Sequence, residues 1–125
     1  MRLNPDCIRD ILLYIESKTD SEIDSIDFED LVADLNSYDE NTLHYHVNQL
    51  LNFNLVHDVE YSANKPELIF DLSPLGHNFL ADIRSDNLWN HTKTVASKVG
   101  SVSLDALIKI STGVLTQVIN KQLGY

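Results

Sequence analysis

The segment Ser37–Phe70, SYDENTLHYHVNQLLNFNLVHDVEYSANKPELIF, constrains the fold most, because its hydrophobic period changes halfway along. In the first part Leu43, Val47, Leu50 and Leu51 fall at i, i+4, i+7 and i+8, the stripe of an amphipathic helix. Ser37-Tyr38-Asp39-Glu40 fits a capping box with Ser37 as the cap. Asn54 suits the stop, since asparagine tolerates positive φ. In the second part Leu55, His57, Val59 and Tyr61 alternate with Val56, Asp58 and Glu60. Leu68, Phe70 and Leu72 alternate with Glu67, Ile69 and Asp71, so the pair reads as a β-hairpin. The turn formers of Ser62-Ala63-Asn64-Lys65-Pro66 connect the two runs. A lone hairpin is marginal in water, so this one must lie on helices.

Two helices precede it. Asn4-Pro5-Asp6 is a strong start: a capping asparagine, a proline at the first position and an acid in the first turn. Cys7, Ile8, Ile11, Leu12 and Ile15 form one stripe that fades near Lys18. The polar stretch Thr19–Ser25 reads as a loop, with Ile23 and Ile26 suited to a short strand beside the hairpin. Asp27 then caps a second helix of about three turns, with Phe28, Leu31, Val32 and Leu35 inward. The order helix, helix, helix, hairpin predicts a mostly α fold with a small β-hairpin, a winged helix-turn-helix, over residues 1–83.

Residues 84–125 read as a C-terminal helical extension. Before it, Ser73-Pro74 opens a helix with Leu75, Phe79, Leu80 and Ile83 on one face, and Gly76 permits a close backbone approach. Asp86 is expected to cap the next helix. Leu88, Thr92, Val95 and Val99 run along one side of it, Trp89 and Ala96 lie beside them, and Gly100 stops it. The last helix starts near Ser103 and runs towards Leu123. Its apolar arc (Leu104, Leu107, Ile108, Ile110, Val114, Leu115, Val118, Ile119) is wider than one packing face needs. Such a helix is either central to the core or paired with a second copy; in the second case Leu107, Ile110, Val114 and Val118 would form a homodimer interface.

Charge narrows the partners. Residues 1–40 carry twelve acids and three bases, and the chain as a whole is −10. Residues 72–125 carry three acids and five bases. An acidic body repels a polyphosphate, whose neutralisation supplies most non-specific DNA affinity. Asp20, Glu22, Asp24, Asp27, Asp30 and Asp34 form either a solvated surface or an acidic face that docks on a basic protein. The single cysteine, Cys7, sits in a helical stripe and reads as a core thiol, which fits a reducing cytoplasm. No segment is apolar enough for a spanning helix or a signal peptide, so no membrane association is expected.

No chemistry of a known enzyme is legible: there is no Gly-rich phosphate loop, G-x-S-x-G, H-E-x-x-H or paired-cysteine spacing. The reading is a non-enzymatic module with no cofactor. His44 and His46 point about 200° apart on a helix, so they do not share an ion, and no metal site is expected. His57 is on the hairpin, and His77 and His91 read as helix-surface groups. The polar face of the Glu40–Phe53 helix carries Asn41, His44, Tyr45, Asn48, Gln49 and Asn52. Asn and Gln can read adenine in a major groove, and Lys65 at the hairpin tip could meet a phosphate. A solvated helix face would look the same.

The run Leu3-Asn4-Pro5-Asp6-Cys7-Ile8-Arg9-Asp10-Ile11-Leu12-Leu13-Tyr14-Ile15-Glu16 resembles an uncharacterised, prophage-associated family of winged-helix-like proteins from Gram-positive bacteria and their phages. So do Tyr45–Leu50, Leu72–His77, Ile83–Asp86 with Trp89 and Lys93, Val99-Gly100-Ser101, and Lys121–Gly124. One departure is Asn54, where related winged helices commonly have glycine. The resemblance implies a phage context and a winged-helix-like core, and carries over no catalytic or binding residues. Two functions follow, a leading one favoured by fold analogy and an alternative favoured by the charge balance. One is a DNA-binding regulator that presents two Glu40–Phe53 helices as a dimer. The other is an acidic protein-binding factor that modulates a host or defence protein.

Overall fold

The computed structural model describes residues 1–100 and 103–124. Helix α1 (Pro5–Lys18) forms where the sequence sets it. The Asn4 side chain accepts from the Asp6 and Cys7 amides, and Cys7, Ile8, Ile11, Leu12 and Ile15 are completely buried. Strand β1 (Ser25–Asp27) and α2 (Phe28–Asp34) follow. At seven residues α2 is two turns rather than three. Its Phe28 and Leu31 are buried, and Val32 and Leu35 pack at the core's edge.

Helix α3 (Glu40–Asn52) is capped by Asp39, whose carboxylate accepts from the Thr42 amide at 2.7 Å. Ser37 lies in the preceding turn, so the cap is two residues later than expected. Leu43, Val47 and Leu50 are buried as the stripe requires. Asn54 takes φ 60°, the left-handed conformation expected of it.

Strands β2 (Val59–Ser62) and β3 (Lys65–Phe70) complete an antiparallel sheet of order β1-β3-β2. The turn is tighter than the sequence suggests. Ser62 pairs with Lys65, and only Ala63 and Asn64 intervene, both at positive φ. The phase of β3 also differs. Ile69 is its fully buried residue, paired with Ile26 on one side and Val59 on the other, while Leu68 and Phe70 are half-buried. Ile23 stays outside β1 and is 54% exposed.

Helix α4 (Pro74–Ile83) is locked to the end of α3. The Ser73 side chain donates to the Asn54 carbonyl and accepts from the Gly76 amide, and the Ser73 amide donates to Leu55 O at 3.0 Å. The backbones come so close that a Cβ on residue 76 would lie 1.9 Å from Leu55 O, which is why glycine stands there. Leu75, expected inward, is 43% exposed because it lies in the first turn, away from that contact.

Helix α5 (Asp86–Val99) is capped by Ser85, not Asp86. Asp86 is its first residue and accepts from Arg9 at 3.0 Å. Trp89, Thr92 and Ala96 are buried, whereas Val99 at the far end is 65% exposed. Gly100 (φ 76°) terminates the helix. Ser103 caps α6 (Leu104–Gln122).

The extension shares the core of the first eighty residues: Trp89, Ala96, Leu104 and Leu107 belong to the same buried cluster as α1, α3 and β3. Polar bonds fasten it. Asp6 accepts from Trp89 Nε1 at 2.8 Å and from Lys93 at 2.9 Å. Arg9 donates to the Ile83 and Arg84 carbonyls, and its guanidinium lies 5.9 Å from the Trp89 ring centre. Arg84 grips Glu16 with two bonds and holds that carboxyl below its usual range. Burial pushes the Asp6 carboxyl up, but the Lys93 and Trp89 bonds outweigh it and leave it lowered. Among the described residues no helix is long and apolar enough to cross a membrane.

Candidate interaction surface

Helix α3 and the β2–β3 hairpin meet at the surface that the sequence marks for recognition. Asn41 and Asn52 are exposed there, and His44, Tyr45, Asn48 and Gln49 are half-buried. The hairpin leans on the helix: Tyr61 donates its hydroxyl hydrogen to Asn48 Oδ1. That bond occupies the acceptor half of an amide expected to read bases. The His44 and Phe28 rings meet edge-on, their centres 6.4 Å apart. Lys65 is the first residue of β3, and its ammonium lies 3.4 Å from the Glu40 carboxylate.

His46 belongs to the inside. It is completely buried; its Nδ1 donates to the Thr42 carbonyl at 2.7 Å, so its Nε2 accepts from the Asn4 amide at 2.8 Å. Both nitrogens are used and the ring is neutral. Burial lowers its pKa against the opposing pull of the Thr42 carbonyl. His46 thus ties α3 to the cap of α1, and no group of metal-ligating side chains forms around it or elsewhere among the described residues. Cys7 is equally inert: burial, helped by Asp10, pushes its thiol up to about 12.

Between the start of α2 and the hairpin tip, with Glu40 at the head of α3, lies a cleft of about 460 Å³, lined by Asp27, Phe28, Glu29, Asp30, Glu40, Ser62, Lys65, Pro66 and Glu67. Five carboxylates face one ammonium that is already paired. A second hollow, of about 250 Å³, carries the acidity along α2, with Asp27, Asp30 and Asp34 opposite Tyr14 and Lys18. Tyr14 donates to Asp34 at 2.8 Å, and burial together with that bond raises its hydroxyl pKa. Asp20, Glu22 and Asp24 are exposed on the adjoining loop.

The structure therefore brings Lys65 and the acidic residues of α2 together, which the sequence kept apart. Glu29, Glu67 and Tyr61 escaped the sequence reading. Their only signal was their charge or aromaticity beside a turn. Of the expected dimer residues, Leu107 and Val114 are buried inside the chain against α4 and α5, Ile110 is half-buried, and Val118 is 36% exposed. Leu107 is therefore not available to a second copy, whereas Val114 keeps 4% of its surface, on the floor of a groove between α5 and α6.

A family described as "Hypothetical protein (DUF2513)" matches residues 2–103, which span α1 to α5. The chain belongs to this family. An uncharacterised protein of Haemophilus influenzae is 33% identical over 123 residues, covering 95% of this chain and 99% of that relative. No solved structure matches the chain. The DUF2513 match assigns no chemistry to any residue of the acidic cleft, so that surface has to be read from its own charges.

Proposed function

We propose that this member of DUF2513 is a winged helix-turn-helix module, of phage or prophage context and acting in the bacterial cytoplasm, that binds a protein partner through its acidic face. The winged-helix reading is supported by the element order α1-β1-α2-α3-β2-β3 and the sheet order β1-β3-β2. The observation that carries the function is the α2–hairpin cleft. Asp27, Glu29, Asp30, Glu40 and Glu67 line it beside the start of α3, and its lysine is held by Glu40. A polyphosphate is repelled there, whereas a lysine- or arginine-rich protein surface is attracted. Asp20, Glu22, Asp24 and Asp34 extend that attraction along α2 and its leading loop.

A second reading, a DNA-binding regulator, rests on one observation: Asn41 and Asn52 are exposed on α3, with Gln49 half-exposed between them. One titration separates the two. The protein is titrated with DNA of its own upstream region, with a scrambled control, and with a lysine- and arginine-rich peptide, each at low and high salt. The protein-binding reading expects no DNA shift at low salt. It expects salt-sensitive peptide binding that is lost in the variant Asp27→Lys/Asp30→Lys/Asp34→Lys and kept in Asp105→Lys. A site-specific DNA shift in the wild type overturns it in favour of the regulator.

A further inference from the structure

Two surface features, the second adjoining the acidic face proposed above, fit one another. The first lies between α5 and α6. A groove of about 230 Å³ is lined by Val95, Ile110, Gly113, Val114 and Gln117. The space over Gly113 is open, since a Cβ there would have no heavy atom within 4 Å. Lys98 stands one turn from Val95 on α5, and Lys121 one turn from Gln117 on α6; both are exposed. From residue 87 to the last residue the chain carries four lysines and a single acid, Asp105, which is paired with Lys109 at 3.0 Å. The groove is apolar with a basic rim.

The second feature is Ile23. It is 54% exposed in the turn before β1. Asp20 Oδ1 accepts from the Glu22 and Ile23 amides at 2.8 Å each, and the Asp20 amide donates to Ile23 O at 2.9 Å. The turn therefore leaves a branched apolar side chain exposed at the edge of the hollow beside α2, flanked in sequence by the exposed residues Asp20, Glu22 and Asp24.

We propose that the α5–α6 groove receives Ile23 of a second copy of this chain. Apolar surface meets apolar surface at the centre, and carboxylates meet ammonium groups at the rim. Charge chooses this pairing over the alternatives: two basic grooves repel, and so do two acidic turns. The contact is heterologous, because the two surfaces differ, so it closes into a ring or continues from copy to copy. It is smaller than a permanent interface, and its rim is open to solvent, so association is weak and salt-sensitive. The proposal stands on these two surfaces alone and does not require the acidic cleft to bind a partner.

Sedimentation of the full chain over a range of concentrations, at about 50 mM and about 500 mM salt, tests it. The expected result is a mass that rises with concentration at low salt and returns to the monomer at high salt. Ile23→Lys and the double variant Lys98→Glu/Lys121→Glu should each stay monomeric with unchanged circular dichroism, since all three side chains are on the surface. Mixed together, those two variants should form a one-to-one complex, because one keeps the groove and the other keeps the turn. A wild-type monomer under every condition overturns the proposal. So does self-association that survives Ile23→Lys, or a mixture that fails to pair.

Discussion

Helices α1 and α6 are both apolar over a broad arc, yet the fold uses them differently. The five stripe residues of α1 are all completely buried. On α6 and its C-cap, Leu104, Leu107 and Val114 are buried, while Val118, Ile119 and Leu123 are exposed by 36%, 48% and 66%. The cause is what lies opposite. Helix α1 packs chiefly against α3, α4 and β1, whereas α6 packs chiefly against α4 and α5 and, at nineteen residues against fourteen, outlasts α5. An apolar residue becomes core only where another element faces it. A wide arc therefore measures the chance of burial and not burial itself.

Truncation is the strongest way to break that comparison. Leu12→Ala should cost about 3 kcal/mol of unfolding free energy in a urea titration, since a fully buried leucine leaves a cavity. Ile119→Ala should stay within about 0.5 kcal/mol, as exposed positions do. Equal losses would mean that α6 is covered in solution by something that α1 does not need.

Next comes the seam that carries α4, the platform for α6. Gly76→Ala drives a methyl into Leu55 O and should cost about 2 kcal/mol, the usual scale of overpacking. Hydrogen exchange should show α5 and α6 amides loosening more than those of α1. Uniform loosening would mean that the two regions are one cooperative unit.

Acid should act on the other side. His46 is held neutral by burial, with a pKa below the ordinary histidine value of 6.5. A base whose folded pKa is lowered takes up its proton more readily when unfolded. Its contribution is complete above about 6.5 and is lost as pH falls from there through the folded pKa. Stability should therefore decline between neutral and mildly acidic pH, well above the range where the lowered carboxyls of Asp6, Glu16 and Asp39 titrate. His46→Gln should flatten that decline, and exchange should quicken first at the start of α1, where the Asn4 amide bonds to the ring. An unchanged slope in the variant would move the effect to another group. The smallest effect is expected from Tyr61→Phe, which removes one exposed bond between hairpin and α3 and should cost about 0.5 kcal/mol.

Much of the local structure was legible because its causes are local. Asn4-Pro5 starts α1, Ser73-Pro74 starts α4, Ser103 starts α6, and Asn54 and Gly100 turn the chain left-handed, each through a bond or a φ value supplied within a few residues. The near misses, Ser37 for Asp39 and Asp86 for Ser85, arose where two good capping residues stand close together and only the helix's actual first turn chooses between them.

What the sequence determined alone is the run of helices and strands, the small hairpin and the split between an acidic front and a mildly basic end. Only the tertiary structure decided what those residues do. It put His46 against an amide 42 positions away, paired Lys65 with Glu40, and gathered the acids of α2 and the hairpin into one cleft. It also chose which part of α6 is core. Caps and periodicities act over one turn of backbone. Burial, ion pairing and shared clefts depend on which distant segments meet, and periodicity carries no record of that.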